Sequence, residues 1–373
     1  SFDLKENPKQ ALIKIAVDSK YWLWVNGKLV VYEGMVKRGP NPNDTYFDEL
    51  NLSEYFHKGK NTIAVLAWYF GKDGFSHNDS KKFGFFFDGQ IGKEHIVSDN
   101  SWKIKKNKAY QSIKEGKPAN YRLPESHVGY NALFDIDDWQ KRDFNDVSWA
   151  TPIEVGTEGA APWNALIKRP IAQWKDFGLI KATDLKREGN RVTINLPYNM
   201  QFHYWFKIKA KKGKAINITT DSYTWLNDTP IRGKYIAKEG VQEYEHFPWM
   251  SGHKIYLDLD EDVELLEAGY RETGYQTEMD GKFVINDPYM MTLLQKANRT
   301  LYVNMRDTYF DCPDRERAQW WGDLVLLMEE SFYALDINAH ALSYKAIKEL
   351  VDWQKDNGTL YSPIPAGNWD KEL

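Results

Sequence analysis

The chain has 373 residues, enough for two or three domains with sizeable hydrophobic cores. Its 49 Lys and Arg residues against 53 Asp and Glu residues give a net charge of −4, which argues against nucleic acid or an anionic membrane surface as a partner. No apolar run approaches the roughly 20 residues of a membrane span, and the single cysteine excludes an internal disulfide. The 15 Trp and 22 Tyr residues are typical of two classes, proteins that stack rings on sugar faces and aromatic-rich β-sandwich cores.

The first 170 residues or so predict antiparallel β structure. Ile13, Ile15 and Val17 alternate with polar or small residues, as on a half-buried strand. A second strand, Tyr21 to Val25, runs into Asn26-Gly27, the strongest short signal for a hairpin, and Leu29 to Tyr32 returns. Residues 162–175 predict a connecting segment.

A second β region is predicted from residue 177 to residue 279. His246 and His253 flank Trp249 in this region without the spacing of metal ligands, so we expect both to be structural or on the surface. Lys212-Gly213 predicts a turn between strands. The alternating stretches that predict strands are Val192 to Leu196, Trp205 to Ala210, Ala215 to Thr220 and Ile255 to Leu259.

At Asp287-Pro288 the hydrophobic period changes from 2 to 3.6. Asp287 is a suitable N-cap and Pro288 a suitable first residue of a helix. A later helix is predicted from about Ala339 to Lys355, ending before Asn357-Gly358. The apolar stripe of the first helix consists of Met290, Leu293, Leu294, Ala297, Leu301 and Met305.

Between these two helices, residues 306–335 carry an unusual combination of side chains. Trp321, Leu324, Met328, Phe332 and Leu335 form the apolar stripe of another helix, with Pro313 in its first turn and Asp311 or Asp314 as its cap. If that helix reaches back to Glu316, then Glu316, Trp320 and Asp323 share one face over roughly 10 Å.

Two carboxylates with an indole between them suit a cleft that binds a polar ligand with an apolar side, such as a sugar. The competing interpretation also stays open at this point. The acids would then be those favoured by any helix N-terminus, and Trp320 would be one more core aromatic.

The order D-C-P, an Arg/Asp/Glu cluster and W-x-G-D resembles the signature of inverting bacterial α-L-rhamnosidases. The resemblance implies that Glu316 is the general acid. It also implies that Asp311, Arg315, Trp320 and Asp323 line a rhamnose pocket. In that family the general base is a Glu far downstream, which implies a position beyond Leu373.

The resemblance extends to the fold. W-V-N-G at residues 24–27 and K-G-K-N-T-I-A-V at residues 58–65 resemble the galactose-binding-like sandwich of these enzymes, and residues 242–252 resemble a later segment. The expected fold is multidomain β plus α. It comprises a galactose-binding-like β-sandwich (residues 1–172), a second, rhamnosidase-associated β-sandwich (residues 173–280) and the first helices of an incomplete (α/α)6 barrel (residues 281–373).

The expected function is therefore glycoside hydrolysis of terminal α-L-rhamnosides with inversion. A rhamnose-containing carbohydrate is the expected partner, with no nucleic acid and no membrane span, and the sequence does not predict an oligomeric state. No cofactor or metal is expected. We expect the chain to be the front part of the enzyme and inactive alone. A non-catalytic carbohydrate-binding protein and a glycosidase acting on another sugar are the alternatives. A metal cluster of Asp311, Asp314 and Glu316 is disfavoured by the adjacent Arg315 and Arg317, and Cys312 is expected to be a small buried residue.

Overall fold

A computed structural model describes residues 1–34, 39–116, 120–222, 230–279 and 284–369. The first strands in chain order are β1 (Phe2–Leu4), β2 (Ala11–Val17), β3 (Lys20–Val25), β4 (Lys28–Gly34), β5 (Thr45–Asn51), β6 (Gly59–Asn61), β7 (Ile63–Trp68), β8 (Phe85–Ile91) and β9 (Glu94–Val97). The later strands are β10 (Tyr110–Ser112), β11 (Val128–Asn131), β12 (Leu166–Lys168), β13 (Lys175–Lys181), β14 (Leu185–Glu188), β15 (Arg191–Ala210), β16 (Ala215–Thr220), β17 (Gly233–Ile236), β18 (Gly240–Glu245), β19 (Met250–Leu259) and β20 (Val263–Gly274). The helices are α1 (Pro288–Val303), α2 (Trp321–Ala334) and α3 (Ile337–Asp352).

The predicted order, β structure followed by helices, is confirmed. Within the described residues no helix is both long and apolar enough to cross a membrane. The chain divides into two compact units, which we call unit 1 (residues 1–106, 136–173 and 347–373) and unit 2 (residues 107–135 and 174–346). The boundaries expected near residues 172 and 280 stay predictions.

Unit 1 has two larger sheets that contribute to one core, in addition to a two-stranded sheet of β1 and β6. The larger sheet has the order β12-β5-β2-β8-β9, and the smaller has the order β4-β3-β7. Buried side chains of both sheets meet in one cluster, among them Ile13 and Ile15 on β2, Phe87 on β8 and Leu23 on β3. Burying each such side chain stabilises the fold by about 1.5–3 kcal/mol, which explains why the alternating pattern fixes the strand faces.

The hairpin predicted at Asn26-Gly27 is confirmed. It joins β3 to β4, and both turn residues have positive φ, 53° for Asn26 and 83° for Gly27. Two consecutive positive φ angles match the right-handed twist of the flanking strands, and Asn-Gly adopts them at little cost.

Unit 2 is organised on a sheet with the order β10-β11-β17-β16-β19-β15-β20-β13, and β14 and β18 also pair with β15. The strands predicted at Val192 to Leu196 and Trp205 to Ala210 are two ends of β15, whose pairing with β19 shifts register between Asn195 and Met200. The pattern therefore predicted both ends of β15 but missed the irregularity that joins them. β11 pairs in parallel with β17, which ties residues 128–131 to the sheet.

Helix α1 begins as predicted. The Asp287 carboxylate accepts hydrogen bonds from the backbone N–H groups of Tyr289 and Met290, and Pro288 is the first helical residue. Such a cap satisfies amide groups that have no partner inside the helix.

Helix α2 does not reach back to Glu316, and this part of the prediction is wrong. The helix begins at Trp321, with Trp320 at the N-cap position, and Glu316 lies in a preceding turn. Two features prevent helix at residues 313–318. Arg317 has a φ of 48°, outside the right-handed helical region. The N–H of Ala318 donates to the Asp311 carboxylate and not to a backbone carbonyl four residues back, as a helix requires. Pro313 is therefore not in the first turn of the helix, and neither Asp311 nor Asp314 is its cap.

Candidate functional site

The candidate site is built on a closed loop of residues 311–318, which we call the carboxylate loop. After α1 the chain turns back, with the Phe310 N–H donating to the Asn304 carbonyl. The loop is then closed by two bonds between its ends. The Asp311 N–H donates to the Ala318 carbonyl at 3.0 Å, and the Ala318 N–H donates to Asp311 Oδ1 at 3.1 Å. Asp311 thus closes a short loop whose side chains are held close together.

Arg317 anchors the carboxylate loop to other parts of unit 2. Its guanidinium donates to the Pro313 carbonyl (2.8 Å), to Glu125 Oε1 (2.7 Å) and to the Trp249 carbonyl (3.1 Å). Its Cζ atom lies 3.1 Å from the centre of the Trp249 ring. Arg317 and Glu125 are both buried. A buried ion pair that also satisfies its remaining donors holds one geometry strongly, because losing either partner leaves an uncompensated charge.

Glu316 projects from the loop into a set of donors. Its Oε2 accepts a hydrogen bond from Trp320 Nε1 at 2.8 Å. Its Oε1 lies 2.9 Å from Arg315 Nε and 3.6 Å from Arg122 Nε. The Glu316 side chain is only 8% exposed, whereas those of Arg315 and Arg122 are 34% and 24% exposed. The carboxyl group is therefore more buried than the two arginines beside it, with an indole on one oxygen and guanidinium groups on the other.

Asp311 is the second carboxyl group of the site. Its Oδ2 lies 3.5 Å from Arg315 Nη2 and accepts a hydrogen bond from Cys312 Sγ at 3.2 Å. Burial, and then the negative charge of Glu316, raise the pKa of Asp311 to about 6. Burial, and then the Asp311 charge, raise the pKa of the Cys312 thiol to about 12, so the cysteine is not a thiolate nucleophile near neutral pH.

Asp314 bonds to a side chain outside the carboxylate loop. Its Oδ1 accepts a hydrogen bond from Ser251 Oγ, and burial raises its pKa to about 6. His246 is buried in unit 2, and His253 is exposed. No metal-ligand geometry formed by Asp311, Asp314 and Glu316 is found within the described residues.

The structure brings together four of the five residues predicted for the site, namely Asp311, Arg315, Glu316 and Trp320. Asp323 lies in the first turn of α2 with an exposed side chain. Within the described ranges, Asp323 has no hydrogen bond or ion pair with the other four. The Glu316–Trp320 contact expected from helical phasing is present, although the loop and not a helix produces it.

Sequence reasoning missed the side chains that hold the loop from outside it. Asn120, Arg122 and Glu125 precede the loop by about 190 residues, and Trp249 lies between β18 and β19. No periodicity or spacing links them to the motif, because their proximity arises from the packing of unit 2.

A separate cluster in unit 1 could hold a metal ion. Asp18, His77 and Asp79 are buried, and one potential ligand atom from each lies within 4.8 Å of the others. Protein donors already serve both carboxylates: Ser80 Oγ donates to Asp18, and the Tyr69 hydroxyl donates to Asp79 at 3.0 Å.

The fold is similar to that of several solved rhamnosidases. The GH78 family rhamnosidase of Bacillus sp. GL1 superposes with a TM-score of 0.81 at 14% identity, covering 98% of this chain and 62% of that one. An α-L-rhamnosidase of Streptomyces avermitilis, solved in complex with L-rhamnose, superposes with a TM-score of 0.73 at 16% identity, covering 99% and 37%. At these identities the similarity establishes the fold.

Two sequence comparisons also point to α-L-rhamnosidases. The family model of the bacterial alpha-L-rhamnosidase 6 hairpin glycosidase domain matches residues 278–372, which include the carboxylate loop. A curated alpha-L-rhamnosidase of Formosa agariphila is 20% identical over 378 residues, which cover 90% of this chain and 37% of that protein. The resemblance to α-L-rhamnosidases is confirmed, and the chain spans little more than a third of this relative.

Proposed function

We propose that the complete protein is a glycoside hydrolase that cleaves terminal α-L-rhamnosides with inversion, and that Glu316 is its general acid. The observation that carries this proposal is the environment of Glu316. A nearly buried carboxyl group contacts Trp320, Arg315 and Arg122, and it lies within the segment that matches the glycosidase domain. The bound L-rhamnose of the Streptomyces structure supports the choice of sugar.

Inverting hydrolysis needs two carboxyl groups on opposite faces of the sugar ring. One donates a proton to the leaving oxygen, and the other activates a water molecule about 6.5–9.5 Å away. Glu316 fits the first role because its position is fixed on both oxygens. Asp311 and Asp323 are poor bases, since Asp311 shares the loop with the acid and Asp323 extends from the adjoining helix. We therefore assign the base to a residue beyond Leu373.

The sugar would be bound by the groups around the acid. Trp320 offers a ring face on which the apolar side of a sugar can stack, while its N–H donates to Glu316. Arg315 lies between Asp311 and Glu316, where it can fix the acid and donate to a sugar hydroxyl. Asp323, exposed in the first turn of α2, would accept a hydrogen bond from a hydroxyl at the open side.

We also propose that unit 1 and the sheet of unit 2 correspond to the two β-sandwich domains, and that the helices open an (α/α)6 barrel. The helices support a barrel because each leaves large apolar side chains exposed, which neighbouring helices would cover. These side chains are Tyr289 and Leu293 on α1, Leu326 and Tyr333 on α2, and Ile337 and Tyr344 on α3.

The test is hydrolysis of aryl α-L-rhamnosides by the complete protein, with proton NMR following the first product anomer. We expect β-L-rhamnose to form first. Release of the α anomer would refute inversion, and saturable rhamnose binding without turnover would favour a non-catalytic binding protein. Faster turnover of another deoxy sugar would correct the substrate. Residues 1–373 alone should be inactive, and turnover by this chain would place the base within it.

A further inference from the structure

A short segment of unit 2 contacts the carboxylate loop through three of its side chains. Asn120 Nδ2 donates to the Arg315 carbonyl at 3.1 Å. Arg122 Nε lies 3.6 Å from Glu316 Oε1, and Glu125 Oε1 accepts a hydrogen bond from Arg317 at 2.7 Å. Three side chains of residues 120–125, which we call the clamp segment, thus contact three consecutive residues of the loop.

The clamp segment has a defined conformation of its own. The Asn120 side chain accepts a hydrogen bond from the Arg122 N–H at 3.0 Å, and the Asn120 carbonyl accepts one from Leu123 at 3.2 Å. Such turns fix the direction of the following side chains. Leu123 belongs to the hydrophobic core of unit 2, and β11 follows at Val128. The segment is therefore anchored by the core at its centre and by the sheet at its end.

We propose that the clamp segment sets the position of the general acid, with Arg122 as the positioning residue for Glu316. The inference rests on the proposed function and adds to it a residue outside the segment that matches the glycosidase domain, residues 278–372. Arg122 and Arg315 approach the same oxygen of Glu316, and Trp320 binds the other. With three contacts on two oxygens, rotation of the carboxyl group is restricted.

Arg315 alone would hold the acid less well. Its side chain is 34% exposed, and it also approaches Asp311 at 3.5 Å. If Arg122 were lost, Glu316 would depend on an arginine that also approaches a second carboxyl group. General acid catalysis requires the donor within hydrogen-bond reach of the leaving oxygen, and a displacement of about 1 Å can cost on the order of 100-fold in rate.

The experiment compares Arg122→Gln and Arg122→Lys in the complete protein. Arg122→Gln should lower kcat about 10- to 100-fold on a rhamnoside with a poor leaving group, with less effect on an activated aryl rhamnoside. Arg122→Lys keeps a cation beside the acid, so its kcat should fall by a smaller factor.

The matched control is Arg191→Gln. Arg191 is an exposed arginine of unit 2 whose Nε lies 2.7 Å from Asp258, so its substitution also removes one ion-paired guanidinium. Its kinetic constants should equal those of the wild type. Crystal structures provide a readout independent of activity, since loss of Arg122 should turn Glu316 away from its 2.8 Å bond with Trp320.

Wild-type kcat of the Gln variant on the rhamnoside with a poor leaving group would overturn the proposal. If the Gln variant does not fold, the Lys variant decides, and wild-type kcat there has the same meaning. A wild-type protein that hydrolyses no glycoside refutes the proposed function instead. The structure of the Arg122→Gln variant then still tests whether Arg122 positions the carboxyl group.

Discussion

The indole N–H of Trp320 separates the positioning of the acid from the binding of the sugar. Trp320→Phe keeps an aromatic face but removes the donor that lies 2.8 Å from Glu316 Oε2. The acid acts in its protonated, neutral form, and a hydrogen bond between neutral groups contributes about 0.5–1.5 kcal/mol, which corresponds to a factor of roughly 2–13 in rate if the bond is needed only to aim the acid. We therefore expect kcat to fall by up to about 10-fold. KM should change less, because the ring remains.

The assay is steady-state hydrolysis by the complete protein of two aryl α-L-rhamnosides that differ in leaving-group acidity. The loss should be larger for the poorer leaving group. Trp102→Phe is the matched control, since Trp102 Nε1 also donates at 2.8 Å, but to the Val97 carbonyl in unit 1. It should lower thermal stability without changing kcat. A Trp320→Phe enzyme with wild-type kcat on both substrates would show that the indole N–H does not aim the acid.

Three further predictions concern stability. Glu125→Ala leaves Arg317 buried without its carboxylate partner and should lower the free energy of unfolding by about 3–5 kcal/mol in chemical denaturation. The control Lys211→Ala removes an exposed ion pair and should cost less than about 1 kcal/mol. Equal losses in the two variants would contradict the anchoring role of Glu125. The folded pKa of Asp314, about 6 against a usual 3.8, means that the folded state binds more protons between pH 4 and 6, so stability should fall as pH rises through that window. Asp314→Asn should remove up to about 3 kcal/mol of that pH dependence, and an unchanged stability–pH curve would refute the assignment. Asp287→Ala removes the cap of α1 and should cost about 1 kcal/mol, measured by thermal unfolding, and no loss would mean that the cap is dispensable.

Local patterns predicted the elements whose structure is decided locally. The period-2 alternation around Ile13, the Asn26-Gly27 turn and the Asp287 cap each act within a few residues, and all three are confirmed. The long strand β15 was predicted only as two pieces, because the bulge between Asn195 and Met200 depends on its partner β19.

The site shows the same limit more sharply. The sequence predicted that Glu316 and Trp320 are neighbours on one face of a helix. The two side chains are in contact, but the loop before the helix brings them together. A positive φ at Arg317 and the Asp311–Ala318 bonds end any helix before Trp320, yet the carboxyl and the indole still meet. The contacts from Arg122 and Glu125 arise from chain folding across about 190 residues, and no local rule encodes them.

The most direct test of the account is the rate of Glu316→Gln on rhamnosides of increasing leaving-group acidity. Gln keeps the shape of the side chain but cannot donate the proton. We expect kcat on a poor leaving group to fall about 10²–10⁴-fold and the loss to shrink steadily as the leaving group needs less protonation. A Gln variant that is unimpaired, or equally impaired on every substrate, would remove Glu316 from the role of general acid.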